Sequence, residues 1–154
     1  MSQLLEVFKR FNSDATRAIL LAQEETRRSG HAVVGCAQLL LGLSLVERSP
    51  SFFVLKQLGL SGGKIRKEIS AAIGLGDGHV PVEIPFTDEA KAVINRSAAE
   101  AAACGDEFIG TEHLLLAFIN TSDAASEKIL EKLAITKANL LDDVRKYLKP
   151  EKAT

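Results

Sequence analysis

Apolar residues recur along most of this chain at intervals of three and four, the period of an amphipathic helix. After Asn12, a cap candidate, Ala15, Ala18, Ile19 and Ala22 share one face, and Gly30 is placed to stop the helix. Gly35 precedes Leu39-Leu40-Leu41-Gly42-Leu43, a run too apolar to face water on any side. Ser49-Pro50 is a cap with proline at the first helical position, and it opens a segment carrying Phe53, Val54 and Leu58. Ser61 starts a fourth segment with Ile65, Ile69 and Ile73, closed by Gly74.

The same pattern is then written again. A shift of 75 aligns residues 11–74 with 86–149 without a gap, and 12 of the 64 pairs are identical, among them Phe11/Phe86, Gly35/Gly110 and Leu39-Leu40-Leu41/Leu114-Leu115-Leu116. Val34/Ile109, Val54/Ile129 and Ile65/Leu140 keep the apolar period where identity is lost. Thr87, Thr111, Ser122 or Asp123, and Thr136 are the cap candidates of the second copy. The pattern predicts an all-α fold of eight short helices in two pseudo-repeats of four. Residues 1–154 are expected to form a single domain, with repeat 1 at 11–74, a linker at 75–85 and repeat 2 at 86–149. Each half is too small to bury its own leucines well, so one core shared about a pseudo-twofold is expected. In the linker the glycines and prolines exclude a helix, and Val80, Val82 and Ile84 alternate as an extended segment packed on one side would. Ahead of the first repeat, Leu4, Leu5, Phe8 and Phe11 fall near helical spacing, either as an added turn packed on the body or as a stripe for a partner's groove.

Composition narrows the function. The 19 basic and 20 acidic residues give a net charge near −1, with no field to attract phosphate backbones or anionic lipid. Tryptophan is absent and aromatic residues make up 5%, so the stacking surfaces of single-strand binders have no material. Nucleic acid is therefore not an expected partner. No stretch of about 18 apolar residues is present to span a membrane. The N-terminus has no secretory pattern, so a cytoplasmic location is expected, in a bacterial cytosol or in a plastid stroma after processing. Cys36 and Cys104 lack CxxC spacing and read as buried thiols, and His31, His79 and His113 are scattered with no i, i+4 pair and no cysteine partner, so no metal is expected. Gly59-Leu60-Ser61-Gly62-Gly63-Lys64-Ile65 falls short of a phosphate loop, with Leu58 and Ile65 where Gly and Ser or Thr are needed. No nucleophile context appears, and the chain is too short for a nucleotide-driven motor. The expected protein is no enzyme, has no cofactor and acts by binding. Arg27, Arg28, Lys64, Arg66 and Lys67 read as solvated helix faces.

Phe86-Thr87-Asp88-Glu89-Ala90-Lys91, then Gly105, then Phe108-Ile109-Gly110-Thr111-Glu112-His113-Leu114-Leu115-Leu116, resembles the second repeat of the N-terminal domain of ClpC-type Clp ATPases. Ala22-Gln23-Glu24-Glu25-Thr26-Arg27-Arg28-Ser29-Gly30-His31 resembles the first, and Val82-Glu83-Ile84-Pro85-Phe86 resembles the family's linker. The likeness covers residues 8–149. It implies a helical body that, in the family, sits on a protein-unfolding ring and receives substrates and adaptors. With no ATPase motif, the chain resembles the free-standing Clp N-domain proteins. The expected function is a non-enzymatic accessory or adaptor of the Clp chaperone-protease system. The alternatives are an excised N-terminal docking domain of a ClpC-type ATPase and a structural assembly subunit of the Clp complex. Implied partners are Clp ATPase or protease subunits, and client proteins or adaptors, arginine-phosphorylated ones included.

The resemblance also implies a site. Family members dock phosphorylated arginine using a threonine of the F-T-x-x-A segment and the glutamate of G-T-E. Thr87, Thr111 and Glu112 match in the second repeat, whereas Asn12, Cys36 and Ala37 stand at the matching positions of the first. Independently of the family, a helix N-terminus suits an anion and a carboxylate beside it suits a guanidinium. Thr111 and Glu112 equally fit a plain helix cap. Phe52-Phe53 stands where the second copy has Glu127-Lys128, so Phe52, with Leu5 and Phe8, is a candidate apolar contact or else core.

Overall fold

The computed structural model describes residues 2–121 and 123–148. Among these, nine helices form: α1 (Ser2–Phe8), α2 (Ser13–Arg28), α3 (Cys36–Leu45), α4 (Pro50–Gln57), α5 (Gly62–Ile73), α6 (Asp88–Ala103), α7 (Thr111–Thr121), α8 (Ala124–Lys132) and α9 (Lys137–Arg145). The eight helices read from the two patterns are α2–α5 and α6–α9. The ninth, α1, comes from the N-terminal segment, which lies on α6 with Leu4 and Val7 buried and Leu5 turned outward.

Local chemistry sets where most helices start. Asn12 Oδ1 accepts from the Ala15 amide at 2.9 Å, and Thr87 Oγ1 accepts from that of Ala90 at 3.0 Å. Ser49, Ser61, Asp123 and Thr136 do the same for α4, α5, α8 and α9. Ser122, the other candidate for α8, lies outside the described residues. Thr111 is not a cap but the first residue of α7. There the amide of Gly110 donates to His113 Nδ1 at 2.8 Å, as the amide of Gly35 donates to Gln38 Oε1 at 2.9 Å ahead of α3. Gln38 and His113 are 75 apart and complete the same half of a capping box.

One cluster of buried side chains joins both sets of helices: Leu40, Leu43, Leu55 and Ile65 from the first, Ile94, Leu115, Phe118 and Leu140 from the second. The sets interlock, with α3 against α6, α7 and α8, α4 against α7 and α9, and α5 against α8. Gly42 lets α2 and α3 approach closely, since a Cβ there would run into the Ala18 carbonyl oxygen. Two short parallel pairings complete the junction. The Asn12 amide donates to Ile109 O at 2.9 Å and that of Ile109 to Arg10 O at 2.8 Å; Val34 likewise donates to Pro85 O at 2.8 Å and Thr87 to Val34 O at 2.9 Å.

Two expectations change. Ile84 is buried and Val80 half-buried, but Val82 is 91% exposed, because the chain bends at Val82 and Glu83 before rejoining Val34. Arg66 is no purely solvated charge: its Nε and Nη2 donate to the Glu25 carboxylate at 2.9 and 3.1 Å, joining α5 to α2 and raising the Arg66 pKa. Glu25 is 9% exposed and is also met by Arg28 at 3.6 Å.

Because both sets of helices enclose Phe118, fully buried, Phe118→Ala is expected to cost about 3–5 kcal/mol in urea unfolding followed by circular dichroism. A single transition is expected for both proteins, as a shared core requires.

Candidate functional site

The two pairings decide what stands beside what. Joining Phe11 to Ile109 brings the start of α2 to the start of α7; joining Val34 to Phe86 brings the start of α6 to the start of α3. Each junction therefore holds a cleft built from both sets of helices.

The first cleft, about 220 Å³, is lined by Asn12, Asp106, Glu107, Phe108, Gly110, Glu112, His113, Tyr147 and Leu148. Glu112 lies in the first turn of α7, and its Oε1 is buried with no hydrogen-bond partner. Its carboxylate folds back over Gly110: a Cβ added there would collide with Oε1 and stand 3.1 Å from Asn12 Nδ2. His113 is 2% exposed and supports the floor. Since an amide can only donate, Gly110 makes Nδ1 the acceptor, so the ring proton is on Nε2 and is donated to Asp106 Oδ2 at 2.9 Å.

Cys104 lies beside this pair, and one ligand atom from each of Cys104, Asp106 and His113 falls within 4.8 Å of the others. Sequence spacing gave His113 no cysteine partner, because the turn after α6 is what folds Cys104 back. The donor set nevertheless fits an ion poorly. A metal would need the lone pair of Nε2, and a neutral ring with its proton moved to Nδ1 would face the Gly110 N–H donor to donor.

The second cleft, about 180 Å³, is lined by His31, Val33, Gly35, Ala37, Gln38, Ile69, Ile73, Thr87, Asp123, Ala125 and Ile129. Thr87 and Glu112 thus stand at different junctions, Thr87 opposite Ala37 and Glu112 opposite Asn12. Grouping them within one repeat followed chain order; the crossed pairing regroups them. Thr111 lines neither cleft. It is buried, and its Oγ1 accepts from the Ser51 amide at 3.2 Å, tying α7 to α4. At the matching place in the other half, Cys36 stands for Thr111 and the hydroxyl of buried Ser126 has no partner. Burial foremost, with Asp123 close by, pushes the Cys36 thiol up to about 12.

Of the candidate apolar contacts, Leu5 is 57% exposed, and Phe8 is half-buried with its ring edge-on to Phe11 at 5.3 Å. Phe52 is half-buried under Phe53 and Lys56, so the ring that reaches furthest into solvent on α4 is Phe53. Leu5 and Phe8 border one groove with Val82 and Phe86, and Phe8 and Phe86 extend it to Leu20.

These features define a class: a two-repeat, all-helical domain with a cleft at each junction between its repeats. The family model described as the Clp repeat (R) N-terminal domain matches residues 10–133, and the chain belongs to that family. A Clp protease ATP-binding subunit, ClpA homolog, of Guillardia theta is 45% identical over 129 residues, covering 84% of this chain and 16% of its own length. The chain thus spans about a sixth of the length of the curated relatives it matches. The N-terminal domain of the chaperone ClpD from Arabidopsis thaliana superposes with a TM-score of 0.79 at 25% identity, over 92% of this chain and 99% of that one. A ClpV N-domain in complex with a VipB peptide shares the fold, with a TM-score of 0.67 at 16% identity over 91% and 92% of the two chains. Among the described residues no helix is long and apolar enough to cross a membrane.

His113→Ala strands the Gly110 amide and is expected to cost about 1–3 kcal/mol in thermal unfolding. His113→Gln should recover most of that, since Gln38 already serves α3. Reactive thiolate is scarce for a thiol displaced this far, so iodoacetamide at pH 8 should label Cys36 only after denaturation, as read by peptide mass spectrometry.

Proposed function

We propose that this chain is a non-catalytic docking module of the Clp chaperone-protease system, an accessory or adaptor that anchors an incoming protein at the Asn12–Glu112 cleft. The observation that carries this reading is the buried, unpartnered Glu112 Oε1 in a cleft open to solvent, an acceptor that lacks its donor. Membership of the Clp repeat family supports the system, and the VipB peptide on a ClpV N-domain supports a peptide-binding use of the fold. Thr87, without a carboxylate opposite it, has the smaller part.

The groove beside α1 favours a second use, assembly with Clp ATPase or protease subunits through Leu5 and Phe8, with Phe52 as a further contact on α4. Exposed leucine and valine around half-buried rings suit a protein surface.

Capture from a Clp-containing extract, read by quantitative mass spectrometry, separates the two. Clients are expected on wild type and on Leu5→Asp, and a loss of about tenfold on Glu112→Ala. Clp subunits retained on Glu112→Ala and lost on Leu5→Asp would instead support assembly. Capture of neither on wild type would refute the Clp accessory.

A further inference from the structure

The Asn12–Glu112 cleft also indicates which part of an incoming chain it holds, given the docking role above. Two unlike groups lie side by side over Gly110, since a Cβ added there would collide with Glu112 Oε1 and stand 3.1 Å from Asn12 Nδ2. Oε1 is buried and accepts from no donor, which is unfavourable for a carboxylate. Asn12 has committed Oδ1 to the Ala15 amide, so it faces the cleft as a donor. A ligand that answers both groups carries a cation and a carbonyl oxygen close together.

The α-ammonium of a chain has its own carbonyl oxygen about 3 Å away. A lysine or arginine side chain carries donors alone and leaves the Asn12 amide group unanswered. Charge selects the same group. Glu112, Asp106 and Glu107 line the cleft, and Asp14 lies in the first turn of α2. Against them stand the positive ends of α2 and α7 and Arg10 at the rim, whose Nη2 donates to the Glu107 carbonyl at 3.5 Å. The balance favours an ammonium and opposes the carboxylate of a free amino acid. The volume, about 220 Å³, suits the end of a chain rather than a chain running through. Phe108 and Tyr147, 55% and 37% exposed, wall the cleft with rings that an apolar first side chain covers.

We propose that this cleft captures the free N-terminus of a protein chain, with the α-ammonium on Glu112, the first carbonyl on Asn12 Nδ2 and an apolar first side chain against Phe108 and Tyr147. It takes one per molecule. At the second cleft the positions matching Asp106, Phe108 and Glu112 are His31, Val33 and Ala37, which keep neither the acids nor the ring.

Isothermal titration of the full chain at about pH 7, where a peptide's α-amine is protonated, tests this with Phe-Gly-Gly-amide, its N-acetyl form, and acetyl-Gly-Lys-Gly-amide and acetyl-Gly-Arg-Gly-amide. The free peptide is expected to bind at one site per chain, and the three blocked peptides at least about tenfold more weakly, as loss of a charge-assisted bond implies. Glu112→Gln, which keeps the shape, should weaken the free peptide by a similar factor with an unchanged melting temperature. Equal binding of the free and acetylated phenylalanine peptides would overturn the proposal, because the rings alone would then account for it. Tighter binding of a blocked lysine or arginine peptide, lost in Glu112→Gln, would overturn it too and leave the docking role standing. No response to any of the four peptides would overturn the proposal and the cleft's docking role together.

Discussion

Four backbone hydrogen bonds organise this molecule. Asn12 and Ile109 take partners on one side of the junction, Val34 and Thr87 on the other, so each repeat lends the start of its first helix to the second helix of its neighbour. The leucine-rich helices α3 and α7 are then held at the centre, with residues 39–44 of one and 113–119 of the other buried, as their composition requires. The constraint is mutual, because neither half has enough apolar surface to close a core by itself. Function inherits the crossing, since whatever binds at a junction touches both halves at once.

Duplication gave two equivalent junctions, and substitution has made them different. One kept a glutamate after its glycine, a ring two residues before it and an aspartate held by an imidazole. The other carries alanine, valine and histidine there, and isoleucines line much of the rest. The divergence extends inward. Thr111 receives the Ser51 amide, whereas Cys36 stands in the corresponding place and the Ser126 amide donates to Asp123 Oδ1 at 2.9 Å instead.

Much of the fold was legible in the sequence because helix caps and apolar period are local. Asn12, Ser49, Ser61, Thr87 and Thr136 announce their helices within four residues, and the 75-residue shift brings the duplicated apolar positions into line. What could not be read was long-range. The pairing of Phe11 with Ile109 joins residues nearly a hundred apart, so Asn12 was not recognisable as the partner of Glu112, nor Thr87 as the partner of Ala37. Arg66 looked solvated until α5 was laid against Glu25 of α2. The signal that could have found the crossing is the apolar pair Val34/Ile109 just before each glycine, which has no role on a helix and needs an extended neighbour.

The central claim is that the cleft is shared between the repeats. A backbone-amide perturbation map by nuclear magnetic resonance, with arginine amide titrated into the isotopically labelled full chain, tests it most directly. The account predicts that Asn12, Gly110 and Glu112 shift together with one saturation curve while Thr87 and Ala37 stay in place. Thr87 and Glu112 shifting together with Asn12 silent would contradict it.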